Sequence, residues 1–561
     1  MSSILDLKKC RDIEDVAALL GCKTNALSYL LYIQKPAYKL IKINKKHGGV
    51  RELKSPPEKL KRLQKRLADI LSSCYEDIYP DSDFKPLSHG FIKNKNILTN
   101  SLEHRNKRYV LNLDLKSYFD SFNFGRVRGY FIKNRDFSLV DKVATIISQL
   151  ACYENVLPQG SPCSPIITNL ITRSLDVKLA NLAKAHKCFY SRYVDDITFS
   201  TNLKEFPKAL ARQNGNDIAV GGSLSKIINK EGFDINHSKT RLQFKNSRQE
   251  VTGLVVNKFI NIPSDYRMAV RAMVHSQFRE NEFFYNEGEL KLKGNMSKLN
   301  GMLSYIHSIR SKTIPHNKYE FDAGNIILDS SDKLYSDFLF YKYFVNNDKP
   351  IVVCEGMTDV IYLRSTIKSM AKKFPALIDV KKGISTLKIQ ILPASKTVVS
   401  LLGLLSGTGE LKKFVEGYEQ RLKKYKKPLL SHPVIVLVDN DDGANGINNL
   451  IKNKFKSESE PGKPVIVTKN LLYVRTPELP GKKFTMIEDF FNHHVRAEKI
   501  RGKTFSPRLE DGESVAHYSK KIFAEEIISR KAKHLNFDSF CPVLDLIVKS
   551  IDIYSKVSRK V

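Results

Sequence analysis

The eight cysteines of this sequence are scattered, and no two of them form a C-x-x-C pair. This spacing argues against a zinc knuckle and a disulfide framework, and it is typical of reduced intracellular thiols. The N-terminal residues lack the basic start and apolar core of a signal peptide. The most apolar stretch, residues 398–405, is much shorter than the ~20 residues that a membrane-spanning helix needs. We therefore expect an intracellular protein without a membrane partner.

Acidic residues are also in short supply. Lys and Arg number 92 against 59 Asp and Glu, which gives a net charge of +33. Solubility requires far less, so the surplus indicates a polyanionic partner, with nucleic acid placed ahead of an anionic membrane surface. The 561 residues predict two to four domains, and 42% hydrophobic residues are enough to build their cores.

Changes in the hydrophobic pattern divide the chain into segments and predict a multidomain protein of mixed α/β and α+β class. The predicted segments are helical (1–37), mixed strand and helix (38–260), helical (261–310), a polar linker (311–348), a second α/β region (349–500) and a mostly helical end (501–561).

A basic hairpin is predicted near the start of the second segment. Alternating apolar residues flank an HGG turn at His47–Gly49, and a basic helix follows. Between Lys39 and Arg66 there are eleven Lys and Arg but two Asp and Glu. A solvated helix face is the ordinary explanation for such a run. The density of basic residues beside a hairpin favours a surface that binds the phosphates along a nucleic-acid strand.

Three separated aspartates form the first carboxylate group. An apolar strand ends in Asp114, and a later strand leads into the adjacent pair Asp195 and Asp196. Adjacent carboxylates at a turn repel each other unless a cation lies between them and a third acid. Mg²⁺ prefers carboxylate oxygens and keeps positions open for phosphate, which suits two-metal phosphoryl transfer. An isolated Asp-Asp pair would be an ordinary solvated turn.

The surrounding motifs make the pair more specific. Asp114 is followed by Phe119, then by LPQGSPCSP at residues 157–165, and then by YVDD at residues 193–196. This order resembles the palm of a reverse transcriptase. The resemblance implies a right-hand polymerase with fingers and palm over 38–260 and a thumb over 261–310. It also implies that Asp114, Asp195 and Asp196 are catalytic and hold Mg²⁺.

The same resemblance implies five nucleotide-binding residues. Phe119 would crowd the sugar 2′ carbon, and Gln159 and Gly160 would line the pocket for the incoming dNTP, where a residue without Cβ permits close approach. Arg51 would reach the triphosphate with its forked cation. Lys239 would protonate the departing pyrophosphate. For Arg51 and Lys239 an ordinary surface charge remains the alternative.

Two further motifs resemble those of retron reverse transcriptases. NSLEH at residues 100–104 matches the NAxxH motif through Asn100 and His104, with serine where alanine is usual. Val251, Thr252 and Gly253 match the VTG motif. The resemblance implies that these five residues contact one structured non-coding RNA encoded beside the gene. DNA synthesis would start from the 2′-hydroxyl of an internal guanosine and give branched, RNA-linked DNA (msDNA).

A second group of acids lies in the last third of the chain. Glu355 follows one apolar strand and Asp359 opens the next helix, while Asp439 and Asp441 follow a later strand. The carboxyl ends of parallel strands meet at one edge, and alternation places Asp439 and Asp441 on one side if the strand persists. Four such acids call for a divalent cation. Helix capping by Asp359 is the alternative.

This EGxxD and DxD pattern resembles the Rossmann-like Toprim fold of topoisomerases, primases and overcoming-lysogenization-defect nucleases. The resemblance implies metal ligation by the four acids and by Glu488 of MIEDFF. It also implies that Lys520 stabilises a pentacovalent phosphate. No tyrosine is assignable as a covalent nucleophile, so hydrolysis by activated water is favoured over topoisomerase chemistry. The Toprim domain would span 349–500, with a helical part at 501–561.

The whole chain therefore resembles a retron reverse transcriptase fused to a Toprim domain, a subclass found in bacterial anti-phage defence. This implies a cytoplasmic protein whose bound RNA–DNA product restrains a nuclease that attacks host or phage nucleic acid. The basic surface also permits a homo-oligomer around one nucleic acid. Three alternatives stay open: a group II intron maturase, a reverse transcriptase with a non-catalytic Toprim scaffold, and an RNA-independent defence polymerase.

Overall fold

The computed structural model describes most of the chain in two compact units. The described residues are 4–34, 36–44, 49–80, 87–214, 217–288, 290–313, 321–322, 325–326, 328–404, 407–509 and 511–559. Unit 1 comprises Met1–Arg267, Asn286–Lys291 and Ser308–Pro315, and unit 2 comprises Met268–Tyr285, Leu292–His307 and His316–Val561.

The elements up to residue 313 are mostly those of unit 1. The helices are α1 (Ile4–Lys9), α2 (Ile13–Leu19), α3 (Thr24–Ser28, continued as a π turn over Tyr29–Ile33), α4 (Glu58–Ile78), α5 (Ile97–Glu103), α6 (Phe124–Lys133), α7 (Asp141–Ala151), α8 (Ser164–Ala185), α9 (Gly222–Lys230), α10 (Ser264–Glu280) and α11 (Met296–Thr313). The strands are β1 (Lys39–Asn44), β2 (Val50–Ser55), β3 (Tyr109–Lys116), β4 (Phe189–Tyr193), β5 (Asp196–Thr201), β6 (Ala211–Asn214), β7 (Asp217–Val220), β8 (Asp234–Ile235), β9 (Arg241–Phe244), β10 (Glu250–Val251), β11 (Leu254–Val255), β12 (Phe284–Glu287) and β13 (Leu290–Lys293). Short 3₁₀ helices occupy Phe119–Ser121 and His237–Lys239.

An antiparallel sheet forms the centre of unit 1. Strand β3 pairs with β5 along one edge and with β8 and β9 along the other, and β4 lies outside β5. Leu111 and Leu113 of β3 belong to the same buried core as Leu67 and Leu71 of α4 and Leu170 of α8. The apolar residues of α4 recur at helical spacing, so one face is buried while the lysines between them face solvent. Helices α4 and α8 therefore support the sheet.

The predicted basic hairpin is confirmed. Strands β1 and β2 pair antiparallel from Lys39 opposite Ser55 to Asn44 opposite Val50. The predicted turn residue His47 lies outside the described residues.

Unit 2 contains the remaining elements. The helices are α12 (Ser330–Phe340, continued as a π turn over Tyr341–Val345), α13 (Met357–Ser369), α14 (Lys396–Leu402), α15 (Gly407–Leu422), α16 (Asn445–Phe455), α17 (His493–Arg496), α18 (Lys520–Ile522, continued as a π turn over Phe523–Ser529) and α19 (Cys541–Ser558). The strands are β14 (Phe321–Asp322), β15 (Asn325–Ile326), β16 (Ile351–Cys354), β17 (Ile378–Lys381), β18 (Ile384–Leu387), β19 (Gln390–Ile391), β20 (Val434–Val438), β21 (Val465–Thr468), β22 (Leu471–Arg475), β23 (Thr504–Phe505) and β24 (His517–Tyr518). Short 3₁₀ helices occupy Asp442–Ala444, Ile487–Phe490 and Asp538–Phe540.

A mainly parallel sheet forms the centre of unit 2, in the order β19-β16-β20-β22-β21. Strands β19, β16, β20 and β22 run parallel, and β21 joins β22 antiparallel. All five residues of β20 are buried, as expected for a central parallel strand covered on both faces. Because β16 and β20 are parallel neighbours, their carboxyl ends lie side by side.

The predicted linker at 311–348 is wrong over residues 330–345. There α12 and its π turn bury Phe338, Tyr341 and Phe344 completely. Aromatic residues at helical spacing make this a core helix despite its polar letters. Residues 314–320 of the predicted linker lie outside the described residues.

One other segment prediction needs correction. The predicted helical end at 501–561 starts with a parallel pair of short strands, β23 and β24, and becomes helical only from Lys520. Most of the residues predicted as a thumb, Met268–Tyr285 and Leu292–His307, belong to unit 2, and the thumb assignment stays a prediction. Within the described part of the chain, no single helix has the length and apolarity to cross a membrane, and only the bent pair Ile13–Leu19 with Thr24–Ile33 reaches them together.

Candidate functional site

The three aspartates of the first group meet at one turn of the unit 1 sheet. Asp114 of β3 lies directly opposite Asp196 of β5. Val194 and Asp195 form the two-residue turn between β4 and β5, and Leu115 N–H donates to the Asp195 carbonyl at 3.0 Å. The name carboxylate hairpin is used below for β4, this turn and β5. Two strands and one turn therefore bring together carboxylates that are about eighty residues apart in sequence.

The turn itself has an unusual backbone. Val194 has a φ of 61°, a left-handed conformation that a β-branched residue rarely adopts. The guanidinium of Arg192 donates to the Val194 carbonyl at 2.8 Å and to both oxygens of Asp176 at 2.7 and 2.8 Å. The side chains of Arg192 and Asp176 are 0% and 2% exposed. A buried ion pair therefore fixes the strained turn.

A second support comes from residues 87–90. His89 N–H donates to the Arg192 carbonyl at 2.8 Å, and Asn169 of α8 donates to the Gly90 carbonyl at 2.8 Å. A Cβ on Gly90 would lie 2.6 Å from Val194 Cγ2. Only glycine leaves room here, so this segment packs directly against the turn.

The three aspartates differ in how much positive charge lies near them. Lys239 Nζ lies 2.9 Å from Asp114 Oδ2, and Asn236 donates to Asp114 Oδ1 at 3.0 Å. Loss of solvent around its carboxyl, followed by the charges of Asp195 and Asp114, raises the pKa of Asp196 to about 7. Burial is also the main cause that raises the pKa of Asp195. The negative charges are therefore only partly balanced by the protein.

These carboxylates fit a divalent cation by their chemistry. Asp114, Asp195 and Asp196 offer hard oxygen donors, and their mutual repulsion would fall when a cation is shared between them. Among the described residues, no three acidic, histidine or cysteine side chains already stand as a ready-made ligand set.

The predicted nucleotide-binding residues lie at several places in unit 1. Arg51 is exposed on β2, and its charge lowers the pKa of Asp195, which places it within electrostatic reach of the turn. Phe119 is half-buried in its 3₁₀ helix, with its ring 5.5 Å from that of Tyr118. Lys239 contacts Asp114 as described. The nucleotide-binding roles of Arg51, Phe119 and Lys239 stay predictions.

The missing Cβ of Gly160 makes room for the backbone of β2, and nucleotide binding by Gly160 stays a prediction. Its φ is +116°, and a Cβ there would lie 2.9 Å from the Lys54 carbonyl oxygen. Lys54 N–H donates to the Gln159 carbonyl at 2.7 Å. The space beside Gly160 is thus filled by the backbone of β2, and the glycine fastens this strand to the 157–165 loop. Nucleotide binding by Gln159 stays a prediction.

The NSLEH residues have an internal role. Asn100 and His104 are completely buried. The two ring nitrogens of His104 lie 2.7 Å from the hydroxyls of Ser191 and Ser200, and Ser191 donates to Asn100 at 2.6 Å. These contacts brace β4 against β5. They contradict the direct RNA contact predicted for Asn100 and His104, because neither side chain reaches solvent.

The VTG residues pack against the same motif. Val251 is buried, and Thr252 and Gly253 form the turn between β10 and β11 with φ of 48° and 78°. Ser101 Oγ, at the position where alanine is usual, donates to the Val251 carbonyl at 2.9 Å. Of the three, only Gly253 is exposed, so an RNA contact remains a prediction for the turn and not for the Val251 side chain.

In unit 2, acids gather where two parallel strands end. Glu355 directly follows β16 and Asp439 directly follows β20. Asp439 N–H donates to Glu355 Oε2 at 3.4 Å, and Ile487 N–H donates to Asp439 Oδ1 at 2.8 Å. Burial is the main cause that raises the pKa of both carboxyls, that of Asp439 well above its usual value. The predicted meeting of these two acids at one edge is found.

Two further acids complete this edge. Asp359 accepts from Gly356 N–H at 2.8 Å, which is the helix-capping contact held open as the alternative. Burial and then the charge of Glu488 raise the pKa of Asp359 to about 7. Glu488 is 1% exposed; Lys520 Nζ lies 3.1 Å from its Oε1, and no donor reaches its Oε2 within the described chain. We call Glu355, Asp359, Asp439 and Glu488 together the acidic edge.

Asp441 does not lie on a continuation of β20, which was the condition for aligning it with Asp439. Strand β20 ends at Val438, so the alternation that would align Asp441 with Asp439 does not continue. Asp441 instead accepts from Gly443 N–H at 2.9 Å and caps a 3₁₀ helix. Its charge still raises the pKa of Glu355. Asp441 therefore neighbours the acidic edge through a loop and not along the strand.

The acidic edge also fits a cation by its chemistry. Its four carboxylates are mostly buried, and burial is the main cause that raises the pKa of each of them. The unpartnered Glu488 Oε2 is a buried oxygen without a donor. Burying such an oxygen costs folding free energy unless a cation or a proton binds to it.

Comparison with known proteins identifies a family for part of the chain. The family model described as "Reverse transcriptase (RNA-dependent DNA polymerase)" matches residues 43–256. Retron Mx65 reverse transcriptase of Myxococcus xanthus is 30% identical over 320 residues, which cover 53% of this chain and 68% of the relative. Retron Ec86 reverse transcriptase of Escherichia coli is 29% identical over 317 residues, which cover 55% and 88%. A solved telomerase from Candida albicans aligns over 77% of this chain and 65% of its own at 10% identity, and its TM-score of 0.31 supports no shared fold.

The sheet with its carboxylate hairpin and the matching family model together define an RNA-directed DNA polymerase of the reverse transcriptase class. More narrowly, this chain belongs to the retron reverse transcriptase family. This membership favours a retron enzyme over the maturase and over the RNA-independent polymerase.

Proposed function

We propose that unit 1 copies a structured RNA encoded beside its gene into branched msDNA, starting from the 2′-hydroxyl of an internal guanosine. Membership of the retron family supports this proposal. The contact between NSLEH and VTG adds to it, because Ser101 joins the two retron-like motifs by a buried hydrogen bond.

The residues of unit 1 would divide the polymerase chemistry among them. Asp114, Asp195 and Asp196 would hold divalent metal, which lowers the pKa of the priming hydroxyl and neutralises the leaving pyrophosphate. The buried pair of Arg192 and Asp176 keeps the carboxylate hairpin in shape before substrate binds, so no reorganisation is needed during the reaction.

For unit 2 the proposal is metal-dependent hydrolysis of phosphodiesters, as in Toprim nucleases. The acidic edge carries it: Glu355 and Asp439 follow neighbouring parallel strands, and Glu488 is buried with Lys520 as its partner. The four acids would hold divalent metal that activates water, and Lys520 would face the charge that develops on the phosphate. We place this activity in the bacterial cytoplasm, restrained by bound msDNA until phage infection frees it against host or phage nucleic acid.

Sequencing of bound nucleic acid tests the polymerase proposal. The protein would be expressed with its upstream locus, purified, and its nucleic acid sequenced with and without a debranching enzyme. We expect DNA joined to RNA, sensitive to debranching and lost in Asp195→Ala. Linear DNA from an active polymerase would contradict the branched product and leave the reverse transcriptase class intact.

Phage challenge tests the proposal for unit 2. Cells carrying the locus with Glu355→Gln or Asp439→Asn should lose protection while their msDNA level stays unchanged. Asp442→Asn, an exposed acid beside the same strand, is the matched control and should keep protection. Full protection in both acidic-edge variants would instead support a non-catalytic scaffold that only holds the RNA–DNA product.

A further inference from the structure

A cavity of about 320 Å³ lies in unit 1 among residues that no predicted site includes. The end of α4, residues 91–94 and α8 form its walls. Three aromatic rings, those of Tyr75, Tyr79 and Phe91, and two cations, Lys93 and Arg173, are among the lining residues. Its volume falls at the lower end of the range typical of small-ligand pockets.

Rings and cations lie close together in the walls of the cavity. The Arg173 guanidinium lies 4.9 Å from the centre of the Tyr79 ring, and the rings of Tyr75 and Tyr79 are 5.0 Å apart. Lys93 Nζ lies 3.2 Å from a carboxylate oxygen of Glu76. Phe91 is 56% exposed. One wall thus offers a cation stacked on an aromatic ring, and another offers a bare aromatic ring.

The backbone that carries Phe91 is strained. Phe91 and Asn94 have φ of 58° and 60°, which bulky residues such as phenylalanine rarely adopt. The phenyl ring stays 56% exposed despite this strain. Backbone strain of this kind is common at ligand-binding sites.

We propose that this cavity binds one unpaired nucleotide of an RNA, with its base stacked on Phe91 and its phosphate facing Arg173 and Lys93. Single-stranded RNA is recognised in this way, by bases turned out onto aromatic rings and guanidinium planes. The net charge of +33 favours such an anion over an apolar ligand. The inference rests on the proposed RNA partner of unit 1 and adds where one of its nucleotides is held.

The cavity shares its walls with the support of the carboxylate hairpin. Phe91 directly follows Gly90, which closes on Val194. Arg173 lies on α8 one turn after Asn169, which holds the Gly90 carbonyl. A nucleotide in the cavity would therefore hold residues 90–94 and α8 together, next to the turn that carries Asp195.

The test compares RNA affinities of the full-length protein and its variants. The probes are a fluorescein-labelled RNA stem-loop with a uridine-rich loop and a fully paired duplex of the same stem, measured by fluorescence anisotropy. Phe91→Leu and Arg173→Gln should weaken stem-loop binding about 10-fold, within the range for one stacked base, and should leave duplex binding unchanged. Phe91→Tyr keeps a ring and should bind as the wild type does.

Two matched controls remove similar groups elsewhere. Phe259→Leu removes another exposed phenyl ring of unit 1 (40% exposed), and Lys184→Gln removes an exposed cation of α8. Both should bind the stem-loop as the wild type does. Thermal unfolding reports folding of each variant independently of RNA binding.

Three results would overturn the inference: unchanged stem-loop affinity in Phe91→Leu and Arg173→Gln, an equal loss for duplex and stem-loop, or an equal loss in the controls. Failure of the proposed function looks different, since the wild type would then yield no RNA-linked DNA whatever the cavity variants bind.

Discussion

At the scale of single residues, the guanidinium of Arg192 holds the carboxylate hairpin through five hydrogen bonds, of which two go to Asp176 and one to the Val194 carbonyl. Arg192→Met would leave Asp176 buried without its partner, at a cost of about 3–5 kcal/mol of folding free energy. We expect urea unfolding to show this loss and DNA synthesis on poly(rA) with oligo(dT) to disappear.

Arg192→Lys separates charge from geometry. Lysine keeps the positive charge but cannot make the forked contact with Asp176 or reach the Val194 carbonyl in the same way. It should recover part of the unfolding free energy and little of the rate of DNA synthesis. Arg135→Lys, at a side chain that is 93% exposed, is the control and should change neither. Equal activity of Arg192→Lys and the wild type would contradict a positioning role.

Asp359 gives unit 2 a pH-dependent stability. Its pKa is raised to about 7 in the folded protein against about 3.9 in an unfolded chain. Its stabilising contribution is therefore complete below about pH 4 and is lost as the pH rises through about 7. In EDTA, Asp359→Asn should lose less unfolding free energy than the wild type between pH 5 and pH 8, measured by urea titration.

The exposed Asp442→Asn is the control for that titration and should retain the wild-type pH dependence. An Asp359→Asn protein whose stability falls as steeply as that of the wild type would mean that Asp359 is ionised at little cost in the fold.

Sequence motifs predicted the three aspartates that meet at one turn, but they did not predict the residues that support this turn. Asp114, Asp195 and Asp196 are predictable because a polymerase needs several carboxylates, and their spacing is distinctive. Arg192 stands just before YVDD, but nothing in the sequence tells that it is buried or that Asp176 is its partner. Such a pairing depends on how α8 packs against β4, and the two residues lie on different elements.

At the scale of elements, β2 is fastened to the 157–165 loop where Gly160 meets Lys54. Gly160→Ala would add a Cβ at 2.9 Å from a carbonyl oxygen and at a φ of +116°. We expect a loss of about 1–3 kcal/mol and, because β2 carries Arg51, a higher KM for dNTP. Thermal unfolding and steady-state DNA synthesis measure the two effects.

Gly129→Ala is the matched control, since no atom lies within 4 Å of a Cβ built there. In the middle of α6 alanine should stabilise by about 0.5–1 kcal/mol and leave KM unchanged. A Gly160→Ala protein that behaves like Gly129→Ala would show that β2 moves freely away from the loop.

Elements with strong periodicity were predictable and the others were not. The hairpin β1–β2 and the apolar strands β16 and β20 follow from alternation and from runs of valine and isoleucine. Helix α12 was not predicted from the sequence, because aspartate, serine and lysine separate its buried aromatic residues. The end of β20 at Val438 also could not be foreseen, and for this reason Asp441 was placed on the strand instead of on a loop.

At the scale of the whole molecule, the two groups of acids belong to different units. Asp195→Ala should therefore lower DNA synthesis at least about 100-fold, or about 2.7 kcal/mol of transition-state stabilisation. It should not change the rise in unfolding temperature that Mg²⁺ causes by binding to unit 2. Glu355→Gln should do the reverse, with DNA synthesis on poly(rA) and oligo(dT) unchanged.

Calorimetry with and without Mg²⁺ measures the shift in unfolding temperature of both variants. An ion that binds only the folded protein raises this temperature. Loss of DNA synthesis in Glu355→Gln would contradict the independence of the two sites.

The order of the sites along the chain has a consequence during translation. The sheet that carries the three aspartates is complete at Phe244, whereas Lys520 of the second site is far downstream. At about 5–20 residues per second, a ribosome adds Lys520 roughly 14–55 s after Phe244. Each newly made molecule would thus have the sheet that carries the three aspartates before Lys520 is added to the chain. A chain that is truncated between these two points would therefore carry the three aspartates without Lys520.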